Sequence, residues 1–155
     1  KVLKDFLNVT NYIWLKRGIK GDDTHGHIDD ITRFISPNTI ITAIEKKKND
    51  ANYNILKQNY EILKKARNIT GNKFKIIKVP MPKPFFINKV RVPASYLNFL
   101  ICNNIVLLPL FNDINDSKVM NIFKKFFKTR KIIGINCREL IWGFGAIHCM
   151  TQQEP

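Results

Sequence analysis

Acidic residues are scarce in this 155-residue chain: 12 Asp and Glu stand against 26 Lys and Arg, for a formal net charge of +14. Cysteine is scarcer. Cys102, Cys137 and Cys149 are too few, and of the wrong parity, for a disulfide framework, so a reducing compartment and a cytoplasmic location are expected. Long apolar runs are missing too. None reaches the roughly 18 residues of a membrane helix, and no signal-peptide pattern stands at Lys1, so no membrane partner is expected. With 45% hydrophobic and 25% charged residues the composition is ordinary and excludes a disordered or collagen-like chain. The length suits one domain with a sizeable core. The opening Lys1-Val2-Leu3-Lys4-Asp5-Phe6-Leu7 reads as interior text, which suggests a piece of a longer chain.

A pI near 9.9 can mark a nucleic-acid binder. The basic residues are scattered, however, over Lys46-Lys47-Lys48 and the outer faces of two helices, so they read as solvated surface and no nucleic-acid partner is expected. The acidic residues are concentrated instead. Asp22, Asp23, Asp29 and Asp30 fall within nine positions, which in so basic a chain suggests a site for a cation.

Residues 2–8 read as a helix tail and Tyr12–Leu15 as a short buried strand, followed by a polar loop over Arg17–Thr24. Ile31–Ile35 and Thr39–Ile44 are β-branched runs around the turn Ser36-Pro37-Asn38. Between Ala51 and Asn68 the period becomes helical, with Ile55, Ile62, Leu63 and Ala66 on one face. Phe74–Val79 is the next strand, ended by Pro80, Pro82 and Pro84. The pattern then recurs. Tyr96–Ile101 and Ile105–Phe111 flank Asn103-Asn104, Asp116 or Ser117 caps a helix with the face Val119, Met120, Phe123, Phe126 and Phe127, and Lys131–Asn136 closes the unit.

Two strand–strand–helix–strand units therefore occupy about 25–79 and 93–137, and a third, begun at 143–155, stops after one strand. The two hairpin turns lie about one period of 66 residues apart. Units of this kind bury their faces only by stacking on neighbours, so a ring is the natural closure, with the remainder upstream of Lys1.

Three unit openings would converge near such an axis: Thr24–Asp30, Pro93–Asn98 and Gly145–Cys149. His25-x-His27-x-Asp29 offers two imidazoles and a carboxylate at alternate positions. The zinc motif of metallo-β-lactamases it resembles has a further His where this chain has Asp30, and only His148 remains, so no metal is expected. The other reading is a nucleophile and a base. Cys149 follows the turn Gly143-Phe144-Gly145, which allows close backbone approach, and His27 is the candidate proton partner. Cys102 and Cys137 lie in apolar strands and read as small buried hydrophobes.

Gly21–Asp30, Arg33-Phe34, Pro93-Ala94-Ser95-Tyr96-x-Asn98-Phe99, Cys137-Arg138-Glu139-Leu140 and Ile147–Pro155 resemble, in order and at sensible spacing, the agmatine deiminase family, which includes the bacterial-type peptidylarginine deiminases. The likeness runs from near Lys1 to Pro155. It implies an α/β fold, a five-bladed propeller (pentein) of ββαβ units, of which this chain is the C-terminal two-and-a-half units of a single deiminase domain.

It further implies that Cys149 is the nucleophile, His27 the general acid/base and Asp29 a guanidinium-binding carboxylate. Asn98 and Asp23 are counted among the substrate-binding candidates. A second guanidinium-binding Asp and the carboxylate that orients the His are expected in the N-terminal half, and Phe144 stands where relatives often have Gly. The reaction implied is metal-free and cofactor-free hydrolysis of agmatine through a covalent thiouronium, with the missing N-terminal half as partner and a homodimer compatible. The alternatives are protein citrullination by a peptidylarginine deiminase, or an inactive fragment or basic nucleic-acid-binding module.

Overall fold

The computed structural model describes residues 2–24, 26–152 and 154. Helix α1, Val2–Leu7, buries none of its residues. The β-branched runs form β1, Thr32–Ser36, and β2, Thr39–Ile44, paired antiparallel around Pro37-Asn38. Helix α2, Asn52–Lys65, carries the chain across to β3, Lys75–Pro80, which lies parallel to β2 with Thr39 opposite Lys75 and Ile44 opposite Pro80. A parallel neighbour needs such a crossover, because a tight turn can only return the chain antiparallel.

The same order follows again. Strand β6, Leu100–Ile101, pairs antiparallel with β7, Ile105–Leu110; helix α3, Asp116–Phe126, crosses to β8, Lys131–Asn136, parallel to β7. Each three-stranded sheet is therefore a ββαβ unit, and β2 and β7 begin 66 residues apart, at Thr39 and Ile105. Between them sits a hairpin absent from the sequence reading, β4, Phe85–Ile87, and β5, Val90–Val92. Its turn places Asn88 and Lys89 at positive φ. One apolar cluster runs through both units, from Ile41, Leu56 and Val79 in the first to Val106, Leu108, Phe123 and Ile132 in the second. Phe99 joins them, edge-on to Phe123 with ring centroids 4.9 Å apart.

Several expectations are corrected. Tyr12–Leu15 is not a strand: Trp14 is 72% exposed and the segment pairs with no sheet. Helix α2 turns a different face inward, Asn52, Leu56, Asn59 and Leu63, while Ile55 and Ile62 are only half-buried. The two asparagines are buried because the loop beside them needs partners. Asn59 Oδ1 accepts from Lys16 N at 2.8 Å and its Nδ2 donates to Arg17 O, while Asn52 Oδ1 accepts from Lys20 N at 2.7 Å. Tyr96–Phe99, read as the start of a strand, is a buried turn, and the strand shrinks to Leu100–Ile101. No strand follows β8 among the described residues; short 3-10 turns at Leu140–Gly143 and His148–Met150 take the place of the strand expected there.

Lys46, Lys47 and Lys48 are exposed in the β2–α2 loop, as a solvated basic surface requires. An open apolar groove of about 770 Å³ flanks β1, lined among others by Ile13, Leu15, Ile28, Phe34 and Phe74. Phe34, in β1, is 57% exposed there. No helix among the described residues is long and apolar enough to cross a membrane.

Candidate active site

Three distant stretches of chain meet at Asn98. The first is the 3-10 turn Ile28–Asp30 leading into β1, which turns both Asp29 and Asp30 inward. The second is Val92–Phe99, eight consecutive buried residues that belong to β5 only at Val92. Buried backbone outside a sheet must find other partners. Here side chains supply them: Arg33 Nη1 donates to Leu97 O and Phe99 O, at 3.3 and 2.9 Å, and Ser95 Oγ accepts from Leu97 N while donating to Asp30 O at 2.7 Å. The third stretch is Gly145–Met150.

Asn98 is fully buried and every polar atom of its side chain is engaged. Its Oδ1 accepts from Ala146 N and Cys149 N, both at 3.2 Å, and its main-chain O accepts from His148 N at 3.1 Å. Because two backbone amides face Oδ1, the orientation of the carboxamide is fixed, and Nδ2 points the other way. It lies 3.1 Å from Asp29 Oδ2, 3.0 Å from Asp30 Oδ1 and 3.0 Å from Cys149 Sγ. The sulfur is also 3.4 Å from Asp29 Oδ2, on which His148 Nδ1 closes at 2.6 Å.

The geometry before Cys149 explains Gly145. A Cβ on Gly145 would sit 2.7 Å from Cys149 Cβ and 3.1 Å from its Sγ, so only glycine leaves the thiol where it is. Phe144 adopts φ +61°, the left-handed region, and caps the 3-10 turn there. That conformation is the physical reason a glycine suits this position, and Phe144 occupies it at a cost in backbone strain.

Charge in the cluster is unbalanced. Burial, with the Asp29 carboxylate beside it, pushes the Asp30 carboxyl up to about 8, against the opposing hydrogen bond from Asn98. Burial also pushes the Cys149 thiol up; the Asn98 hydrogen bond favours the thiolate, and Asp29 and Asp30 disfavour it. Arg33 is a permanent cation beside these acids, its own guanidinium shifted down by burial and stacked 4.7 Å over the Phe99 ring. The surroundings therefore favour the protonated thiol over the thiolate.

Of the residues singled out from the sequence, Cys149, Asp29 and Asn98 come together. His27 and Asp23 lie in the loop before the 3-10 turn, and no side-chain hydrogen bond or ion pair links either of them to that cluster among the described residues. His27 Nδ1 stands 3.5 Å from Asp22 Oδ1, close enough for an ion pair but outside hydrogen-bond geometry. Asp22 is the organiser of that loop. It accepts from Thr24 N, Thr24 Oγ1 and His27 N, and although burial alone would raise its carboxyl, these bonds hold it below the ordinary carboxylate value. Donor atoms of Asp22, Asp23 and His27 lie within 4.8 Å of one another, but both Asp22 oxygens already serve the loop. His25, the other imidazole of the metal reading, lies outside the described residues.

The site adds Asp30, Arg33 and His148 to the residues given roles from the sequence. The Asp29-Asp30 doublet and the neighbour relation of His148 to Cys149 were visible; the 119-residue separation of His148 from Asp29 hid their contact. Cys102 stands at the β6–β7 turn, and Cys137 is fully buried beyond β8, its thiol pushed up by burial.

Residues 1–155 match the sequence profile of the Porphyromonas-type peptidyl-arginine deiminase. A Latilactobacillus sakei protein described as a candidate agmatine deiminase is 37% identical over 99% of this chain and 47% of its own length. Among solved structures, a C. jejuni agmatine deiminase carrying a Cys-to-Ser change, with substrate bound, superposes at a TM-score of 0.87 with 36% identity, covering 95% of this chain and 43% of that one. The agmatine deiminase of Enterococcus faecalis gives 0.89 and 32%, covering 99% and 47%. The chain thus spans about half the length of the curated relatives it matches. The match runs over every residue that builds the cluster around Asn98, and the chain belongs to the Porphyromonas-type peptidyl-arginine deiminase family, with agmatine deiminases among its relatives.

Proposed function

We propose that this chain contributes the nucleophile and one guanidinium-binding carboxylate to a guanidine deiminase that hydrolyses agmatine to N-carbamoylputrescine and ammonia. One observation carries the reading: Cys149 Sγ lies 3.4 Å from Asp29 Oδ2, beside a buried amide donor. A planar guanidinium donates paired hydrogen bonds that a carboxylate accepts. A substrate held on Asp29 therefore brings its central carbon to the sulfur, and its positive charge offsets the burial and the adjacent Asp29 carboxylate, both of which favour the neutral thiol.

The Cys149 thiolate attacks that carbon and forms a C–S bond. His27 gives a proton to the leaving nitrogen, the C–N bond breaks, ammonia departs, and an S-alkylthiouronium remains. His27 then takes a proton from water, whose oxygen adds to the carbon, and the C–S bond breaks to return the thiolate and release the urea product. Asp22 beside His27, and His148 on Asp29, would hold the base and the carboxylate in place. Asn98 and Asp23 are proposed on the substrate side, Asn98 through its amide at the sulfur.

In this reading residues 1–155 are the C-terminal portion of a single deiminase domain, the ββαβ units belong to a five-bladed ring in the cytoplasm, and an N-terminal half supplies further carboxylates. The open groove along β1, with Phe34 exposed in it, supports an additional covering segment. A second reading, citrullination of peptidyl-arginine, is favoured by the name of the matched family. The two are separated by measuring ammonia release by the natural protein from agmatine and from an arginine-containing peptide. Agmatine turnover lost in Cys149→Ser supports the proposal; turnover of the peptide alone selects the second reading, and turnover that survives Cys149→Ser overturns both.

A further inference from the structure

Asn98 Nδ2 carries two hydrogens and faces three acceptors, Asp29 Oδ2, Asp30 Oδ1 and Cys149 Sγ, all within 3.1 Å. All three cannot be served fully at once. The carboxamide cannot turn over to relieve the conflict, because its Oδ1 is held by Ala146 N and Cys149 N. Asp30 competes for those hydrogens from a fixed position. Its side chain is buried, its main-chain O is clamped by Ser95 Oγ, and its Oδ2 has no partner among the described residues. A buried carboxyl with only one hydrogen-bonded oxygen draws strongly on that one bond.

We propose that Asp30 is a positioning residue for the reaction: through Asn98 it decides how much of the Nδ2 hydrogen bonding reaches the Cys149 sulfur. With Asp30 ionised, one Nδ2 hydrogen is committed to it and the sulfur shares the other with Asp29. When Asp30 is neutral the demand on that hydrogen falls and, with the carboxamide fixed, a larger share of the Nδ2 donation reaches the sulfur, which favours the thiolate. The groups that face Asp30 are Asp29 from the same turn, Asp22 from the preceding loop, Arg33 from β1 and Asn98 from the buried segment, with Cys149 and His148 reached through Asn98 and Asp29. Only Arg33 among them is a permanent cation, and its Nη1 is spent on the carbonyls of Leu97 and Phe99.

This inference rests on Cys149 being the nucleophile. The test uses the natural protein and follows alkylation of Cys149 by iodoacetamide against pH, located by peptide mass spectrometry, together with kcat and KM for agmatine. Asp30→Asn and Asp30→Ala should each lower the alkylation midpoint by about one pH unit, with several-fold faster alkylation near pH 8, because a carboxylate that opposes the thiolate is removed. They should change kcat while leaving KM within about twofold. Ser95→Ala, which loosens the same segment but keeps the carboxyl, should leave the midpoint in place. An unchanged midpoint in both Asp30 variants overturns the proposal even if their melting temperatures fall, as does an equal shift in Ser95→Ala. Activity retained in Cys149→Ser would instead overturn the reading on which it rests.

Discussion

Replacing Asp30 by Asn tests the electrostatics of the buried cluster through stability alone. In the folded protein burial and Asp29 raise the Asp30 carboxyl from 3.8 to about 8. A carboxyl raised on folding binds its proton more tightly in the native state. Unfolding then releases that proton once the pH exceeds about 4, so stability falls between about pH 4 and pH 8 and levels off above. At about 1.4 kcal/mol per pH unit the full loss has an upper bound of about 6 kcal/mol, and relaxation around Asp30 reduces it. Asn98 Nδ2, at 3.0 Å, is the group that resists the shift. Asparagine has nearly the same shape, can present an oxygen to Asn98, and does not titrate. The comparison is made by denaturant titration of the natural protein and of Asp30→Asn at about pH 5 and about pH 8.5, so that groups common to both cancel. The variant should gain at least about 2 kcal/mol on the parent between the two conditions, whatever its offset at the lower one. A stability difference that is the same at both pH values would refute the claim that Asp30 carries a displaced proton.

Cys149→Ser should abolish ammonia release from agmatine, whereas Cys102→Ala and Cys137→Ala should retain most of it; the fully buried Cys137 site should instead lose about 1–2 kcal/mol in denaturant unfolding. Gly145→Ala, whose methyl would press on Cys149 Cβ at 2.7 Å, should lower kcat at least about tenfold in steady-state assays with a smaller effect on KM. Chelation by EDTA should leave the rate unchanged, and zinc at one per chain by elemental analysis, lost in His27→Ala, would contradict the Cys149 mechanism. Residues 1–155 expressed alone should be inactive and melt broadly by calorimetry, because apolar surface such as Phe34 lies open beside β1.

The sequence carried the repeat well, because β-branched runs, two turns and two helical periods depend on local pattern. It failed where side chains serve distant backbone. The apolar pattern of α2 pointed Ile55 and Ile62 inward, yet Asn52 and Asn59 are the buried ones, because they serve the amides of Lys20 and Lys16. Tyr96–Phe99 is as apolar as a strand, but the carbonyls of Leu97 and Phe99 go to Arg33, that of Asn98 goes to the His148 amide, and the amides of Leu97 and Asn98 go to Ser95, so no ladder forms. The expected strand near residue 143 is missing for a related reason: the amides of Ala146, His148 and Cys149 are all taken by Asn98. In the site, Cys149 and Asp29 could be read because they sit in contiguous motifs. The role of Asp30 and the contact of His148 with Asp29 depend on burial and on long-range closure, which no local pattern records.

Those three amides have a consequence for how the protein opens. Ala146, His148 and Cys149 exchange their backbone hydrogens with solvent only when their bonds to Asn98 break, and all three bonds end on that one residue. The stretch around the thiol has no sheet partner of its own to protect it. These bonds predict that the stretch opens as one small unit, its three amides exchanging together and sooner than those of β7, which amide exchange followed by mass spectrometry would check. The Cys149 sulfur is thus held on a latch with a single catch, and whatever disturbs Asn98 loosens amides and sulfur together.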